Sequence, residues 1–173
     1  MPVSLELLLK SSIFDRERKF VMTPDAIEYE DKDLIGAPHK IFYKKDVAAF
    51  RYGVKPIRGF KFIIGRIYCL DIKSSTGEII KIRLKSVYGV RKSLLSEKVK
   101  KIIAALYDNF IDDISKAYLD KFNSGGEFML EGVVFCQPGI SFDAGRSVIP
   151  WKDAGTKSYF SYYAIFSKSN PNI

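Results

Sequence analysis

The chain has 173 residues, room for one domain or one domain and a fragment, and its 47% hydrophobic and 14% aromatic content is enough for a packed core that leans towards strands. The net charge of +8 is uneven: residues 40–101 carry 17 basic and 4 acidic groups, a surplus of +13, whereas residues 1–39 come to −3 and the last 51 balance. No window reaches ~18 uninterrupted apolar residues, and the N-terminus lacks the basic start and small-residue cleavage site of a signal peptide, so the expectation is a soluble, cytoplasmic protein.

In chain order, Ser4 is placed to cap a short helix through Leu5, Leu7, Leu8 and Leu9. "RKFVMT" and "AIEYED" read as two strands around the turn formers Thr23, Pro24 and Asp25. "KDLIGAPH" is loop or weak edge strand. "KIFYKKDVAAFRYGV" is strand with a break near Lys45 and Asp46, and "KPIRG" reads as a turn. "FKFIIGRIYCLDIKS" is the strongest strand and ends at the hairpin signal "STGE". In "EIIKIRLKS", Ile80, Ile82 and Leu84 alternate with Lys81, Arg83 and Lys85, which gives a half-buried strand with a basic outer face. Leu95, Val99, Ile102, Ile103, Leu106, Phe110, Ile114, Tyr118 and Phe122 recur at steps of three and four, an amphipathic helix stopped by "NSGG" at 123–126. Strands return in "EFMLEGVVFC", "GISFDA", "SVIPWKDAG" and "SYFSYYAIFS".

One phrase occurs twice. "IFYKKDVA" (41–48) and "IPWKDAG" (149–155) each end an apolar-aromatic strand in Lys-Asp. Each follows a turn proline, Pro24 or Pro138, and a short alternating strand containing Ile27 and Tyr29 or Ile140 and Phe142. The prolines are 114 apart and the aromatics Tyr43 and Trp151 are 108 apart, so the second copy has a loop six residues shorter. A repeat of about a hundred residues points to two domains of one type, the second of them partial. The open sheet edge of a partial unit needs cover from a partner, another subunit or its own chain.

The segment "FVMTPDAIEYED…IFYKKDVAAFRYG…FIIGRIYCLDIKSSTGEIIKIRL" resembles bacterial pleckstrin-homology-like domains, most clearly in "FVMT" and "IFYKKDV". The resemblance covers residues 18–111 and, in part, 127–166. Together with the element order it implies an α+β fold, mainly β: an antiparallel β-barrel or sandwich capped by a C-terminal amphipathic helix. The expected organisation is an N-terminal helix over 1–14, a pleckstrin-homology-like domain over 15–122 and a partial second unit over 123–173. The resemblance implies a binding scaffold for phosphoinositide headgroups, peptides or other proteins. The loop matching the basic one of lipid-binding members is "MTPDA", which is not basic; the basic turn here, "VKPIRGFK", lies later.

No catalytic, metal or cofactor site is expected. His39 is the only histidine and lies in a loop without a sequence-local Cys or second His. Cys69 and Cys136 sit in apolar runs and read as buried free thiols in a reducing compartment. Asp108, Asp112 and Asp113 read as a solvated helix face. The candidate binding set is basic: Lys44, Lys45, Arg51, Lys55, Arg58, Lys61 and Arg66. Phosphates need several charge-assisted donors converging from different side chains, which this segment can supply.

Three functions follow as expectations. The first is a non-enzymatic protein-interaction or assembly module, using Trp151, Tyr159, Phe160, Tyr162 and Tyr163 against a protein partner or a second copy. The second is peripheral binding to anionic lipid headgroups or a phosphorylated ligand. The third, nucleic-acid binding, ranks lower because no recognition helix or RNA-binding signature is present.

Overall fold

The computed structural model describes residues 3–31, 36, 38–130, 132–142, 147–159 and 163–170, with the side chain of Tyr163 left outside them. The chain divides into two compact units, Met1–Ile114 and Ser115–Ile173.

In the first unit, residues 5–10 form a strand and not the expected helix. This strand, β1 (Leu5–Lys10), pairs along its whole length with β2 (Glu17–Met22), Leu5 opposite Met22 and Lys10 opposite Glu17. Six residues are too few for a self-supporting helix, while alternation turns Leu5, Leu7 and Leu9 to one face and Glu6 and Leu8 to the other. The sheet continues through β3 (Ala26–Tyr29) and β4 (Lys40–Tyr43) in the order β1-β2-β3-β4. Thr23 shapes the β2–β3 turn, its Oγ1 accepting from the Ala26 N–H at 3.1 Å. A single 3-10 turn at Lys44–Asp46 then breaks the chain where the Lys-Asp pair suggested.

The second sheet has the order β5-β6-β7, from β5 (Val47–Arg58), β6 (Ile63–Ser74) and β7 (Ile79–Val87). The stretch "KPIRG", expected as a turn, belongs to β5, with Pro56 opposite Arg66. β5 is an edge strand, so a residue without an N–H interrupts no ladder on its open side. The turn comes later, where the Gly59 N–H donates to the Phe62 carbonyl at 2.8 Å.

Among the described residues no sheet closes into a barrel, the alternative named beside a sandwich. The 3-10 turn takes the chain out of the first sheet before the second begins, and a register shift between Val47 and Ala49 follows at the start of β5. The β1 end and β7 meet through one backbone bond, Lys85 N–H to the Ser11 carbonyl.

Helix α1 (Lys92–Asn123) buries Leu95, Ile102, Leu106 and Phe110, and the first unit also buries Phe20, Ile27 and Phe42 of one sheet and Leu70, Ile72, Ile82 and Leu84 of the other. Asn109 interrupts this apolar stripe. Its amide donates to the Val3 carbonyl at 2.8 Å and accepts from the Val3 N–H at 2.9 Å, so it continues the β1 backbone pairing in place of a strand. The helix stops at Gly125, held at φ +84°, with the Gly126 N–H on the Lys121 carbonyl and the Gly125 N–H on the Phe122 carbonyl. Among the described residues no helix is long and apolar enough to cross a membrane.

The second unit repeats the pairing order of the first. β8 (Phe128–Leu130), β9 (Val133–Cys136), β10 (Gly139–Ser141) and β11 (Val148–Pro150) form a sheet ordered β11-β10-β9-β8, and β12 (Ala154–Ser158) pairs with β13 (Tyr163–Ser167). Ile27 faces Phe42 in the first sheet, and Ile140 faces Ile149 in the second; all four are buried. Asp46 precedes β5 and its carbonyl accepts the Ser75 N–H, while Asp153 precedes β12 and its carbonyl accepts the Lys168 N–H. The spacing falls from 113 (Ile27 to Ile140) to 107 (Asp46 to Asp153), again six residues. The phrase "IPWKDAG" thus closes the fourth strand of a meander and leads into β12.

Candidate anion-binding face of the second sheet

The β5-β6-β7 sheet has two chemically different faces, and strand alternation decides which residue joins which. One set is Tyr68, Leu70 and Ile72 on β6 with Leu84, Ile82 and Ile80 opposite on β7; all are buried. The intervening residues must point the other way. On β6 these are Ile67, Cys69, Asp71 and Lys73, facing Arg51, Gly53 and Lys55 on β5 and Lys81, Arg83 and Lys85 on β7.

This outer face therefore gathers six cations, Arg51, Lys55, Lys73, Lys81, Arg83 and Lys85, around one carboxylate, Asp71. Arg51 Nε lies 3.0 Å from Asp71 Oδ2, and Arg83 Nη2 lies 2.5 Å from Oδ1. Arg83 also donates through Nη1 to the Leu70 and Ile82 carbonyls, which holds its guanidinium flat against the strands. Burial pushes the Asp71 carboxyl up, but the hydrogen bonds and charges of Arg83 and Arg51 outweigh it and hold it below its ordinary value. The four lysines make no ion pair with a described carboxylate.

A groove of about 360 Å³ runs across this face, lined among others by Arg51, Lys55, Cys69, Asp71 and Arg83. Its middle is low because Gly53 has no side chain and faces Cys69, the smallest side chain in that part of β6. The expectation of buried thiols is corrected here. Cys69 and Cys136 are both free and half-exposed, since Tyr68 and Leu70 take the core positions on either side of Cys69.

The basic residues singled out in the sequence do not form one cluster. Arg51 and Lys55 share the outer face, whereas Arg66 follows the opposite alternation, facing Pro56 and Ser86. Lys44 and Lys45 lie on the 3-10 turn, where Lys44 pairs with Asp113 at 2.7 Å. Arg58 ends β5, and Lys61 sits at the hairpin tip with its Nζ 5.8 Å from the Phe60 ring centre. Sequence reasoning missed Lys73, Asp71 and Gly53 as parts of this face. Continuing the β7 alternation onto β6 would have found the first two.

The aromatic interface set is also divided. The Trp151 indole N–H is taken up inside the second unit by the Gln137 and Cys136 carbonyls at 2.9 and 3.1 Å, and its ring packs on Phe122 and Phe135. Tyr159 is exposed, with Lys157 Nζ 5.1 Å from its ring centre. Phe160, Tyr162 and the Tyr163 side chain lie outside the described residues. His39 hydrogen-bonds Glu28 through Nδ1. Among the described residues no group of three His, Cys, Asp or Glu side chains is placed to hold a metal ion. No family model matches the chain, and no curated protein or solved structure matches it significantly.

Proposed function

We propose that the chain is a non-enzymatic binding module of the pleckstrin-homology-like kind, and that its first unit takes a phosphate-bearing anion on the outer face of the β5-β6-β7 sheet. The observation that carries this is the register: six cations and one already neutralised carboxylate share one sheet face around a groove. The strand order of four, then three, then a helix supports the scaffold reading. A phosphate cluster would find donors from three strands, and each charge-assisted bond stabilises binding by about 1.5–3 kcal/mol before desolvation is subtracted.

Inositol hexakisphosphate is a suitable soluble probe. Its affinity should fall steeply with salt, and Lys55→Glu or Lys85→Glu should weaken it about tenfold each. Bound probe should slow alkylation of Cys69 but not of Cys136, read by peptide mass spectrometry. Saturable binding that leaves Cys69 alkylation unchanged would place the ligand elsewhere and sink this reading. A second reading, protein interaction or self-assembly through the second unit, has the exposed Met129 and Tyr159 in its favour. Solution mass across a concentration range decides it.

A further inference from the structure

Among the described residues, the most exposed apolar side chains of the first unit stand on or beside three loops. They are Phe14 (98% exposed) between β1 and β2, Phe60 (95%), Phe62 and Ile63 at the β5–β6 tip, and Tyr88 (76%) between β7 and α1. These loops are tied to one another. The Tyr88 N–H donates to the Ile64 carbonyl at 2.7 Å, and Arg91 Nη1 donates to the Ser12 carbonyl at 3.5 Å. Phe62, Ile63, Arg66, Tyr88 and Lys92 line one shallow depression between two of the loops. The backbone holds Tyr88 outward in a left-handed conformation, φ +50°, which a bulky residue adopts only where its surroundings impose it.

The charge beside the Phe60 and Tyr88 rings is basic. The β5–β6 and β7–α1 loops carry Lys61 and Arg91, with Arg58 and Lys92 at their edges, and no Asp or Glu. Arg58 and Lys61 flank Phe60, and Lys92 follows Tyr88. Asp15, on the first loop, is paired with Arg18 at 3.4 Å.

We infer that this end of the first unit is a membrane-insertion tip, which sinks its aromatic rings into the headgroup boundary of an anionic bilayer while the flanking cations meet lipid phosphates. Aromatic side chains projecting from convex loops suit a deformable interface, and the same rings ringed by cations match a surface that is apolar within and anionic outside. The inference goes beyond the proposed anion site: the tip uses loop residues, and the sheet face uses strand residues.

The test is co-sedimentation of the purified chain with vesicles of phosphatidylcholine alone and with vesicles of equal parts phosphatidylcholine and phosphatidylserine. The chain should sediment with the second kind only. Phe60→Ala and Phe62→Ala should each lower the partition coefficient about tenfold, since each removes a ring from water-to-lipid transfer, and both positions are exposed enough to leave folding intact. Lys61→Glu should remove the preference for phosphatidylserine. Lys81→Glu with Lys85→Glu should abolish inositol hexakisphosphate binding yet leave sedimentation nearly unchanged. Absence of sedimentation by the unaltered chain overturns the inference, as does sedimentation that ignores both phenylalanines. If sedimentation instead follows only Lys81 and Lys85, the tip is overturned while the sheet-face site stands. A change in solution mass on losing the phenylalanines, with no vesicle binding, would make the tip a protein contact and overturn it equally.

Discussion

Replacing Asp71 by Asn should move stability and anion affinity in opposite directions. The Asp71 carboxylate is only 8% exposed and sits between Arg51 Nε and Arg83 Nη2. The Arg51 pair is largely solvated and contributes under about 1 kcal/mol. The closer Arg83 ion pair, on a guanidinium 35% exposed, contributes about 1–2 kcal/mol, part of which the asparagine carbonyl retains. The net loss is about 2 kcal/mol, which lowers the melting temperature by roughly 4–8 °C in a chain of this size. The same change removes the only negative charge from the groove. A unit charge about 8 Å away in water contributes about 0.5 kcal/mol, so roughly three phosphate charges gain about 1.5 kcal/mol, near tenfold in affinity at low salt. Calorimetric titration with inositol hexakisphosphate beside a thermal melt reads both. The pH dependence is a further check. Because the folded carboxyl lies below its ordinary value, its stabilisation is fully present above the unfolded value and is lost as pH falls through the folded one. The stability gap between the two proteins should close over that acid window. Weaker anion binding by a well-folded Asp71→Asn protein would refute the reasoning, because it would mean that the carboxylate assembles the site and does not oppose the ligand.

Other substitutions test the packing argument. Asn109→Ala should destabilise the first unit by about 2 kcal/mol, two net hydrogen bonds to Val3, and Asn109→Asp should not rescue it, because a carboxylate cannot donate to the Val3 carbonyl; denaturant melts decide. Gly65→Ala should destabilise by more than about 2 kcal/mol, since its Cβ would lie 2.3 Å from the Ser86 carbonyl oxygen, whereas Gly53→Ala meets nothing within 4 Å and should stay within about 0.5 kcal/mol of the parent. Trp151→Phe keeps a ring against Phe122 and Phe135 but loses the shared indole bond, so amide exchange across residues 133–141 should speed up about tenfold.

Local chemistry alone was enough for much of the chain. The β6–β7 hairpin, the long helix with its glycine stop and the break at Lys45 and Asp46 depend on alternation, 3.6-residue periodicity and turn residues, all of them properties of neighbouring positions. The twice-written phrase holds one buried residue in each copy, Phe42 opposite Ile27 and Ile149 opposite Ile140.

What the sequence could not decide by itself was everything that depends on which strand lies beside which. Leu5–Lys10 reads as a capped helix until β2 offers it a ladder of backbone bonds. "KPIRG" reads as a turn until β5 proves to be an edge where Pro56 leaves no bond unmade. Cys69 looks like a core thiol until Tyr68 and Leu70 claim the core face and turn it outward. Composition already placed the +13 surplus in residues 40–101. Only the register across β5, β6 and β7 separates Arg66 from Arg51 and Lys55, adds Lys73 and puts Asp71 at their centre, because a shift of one residue in a strand exchanges its two faces.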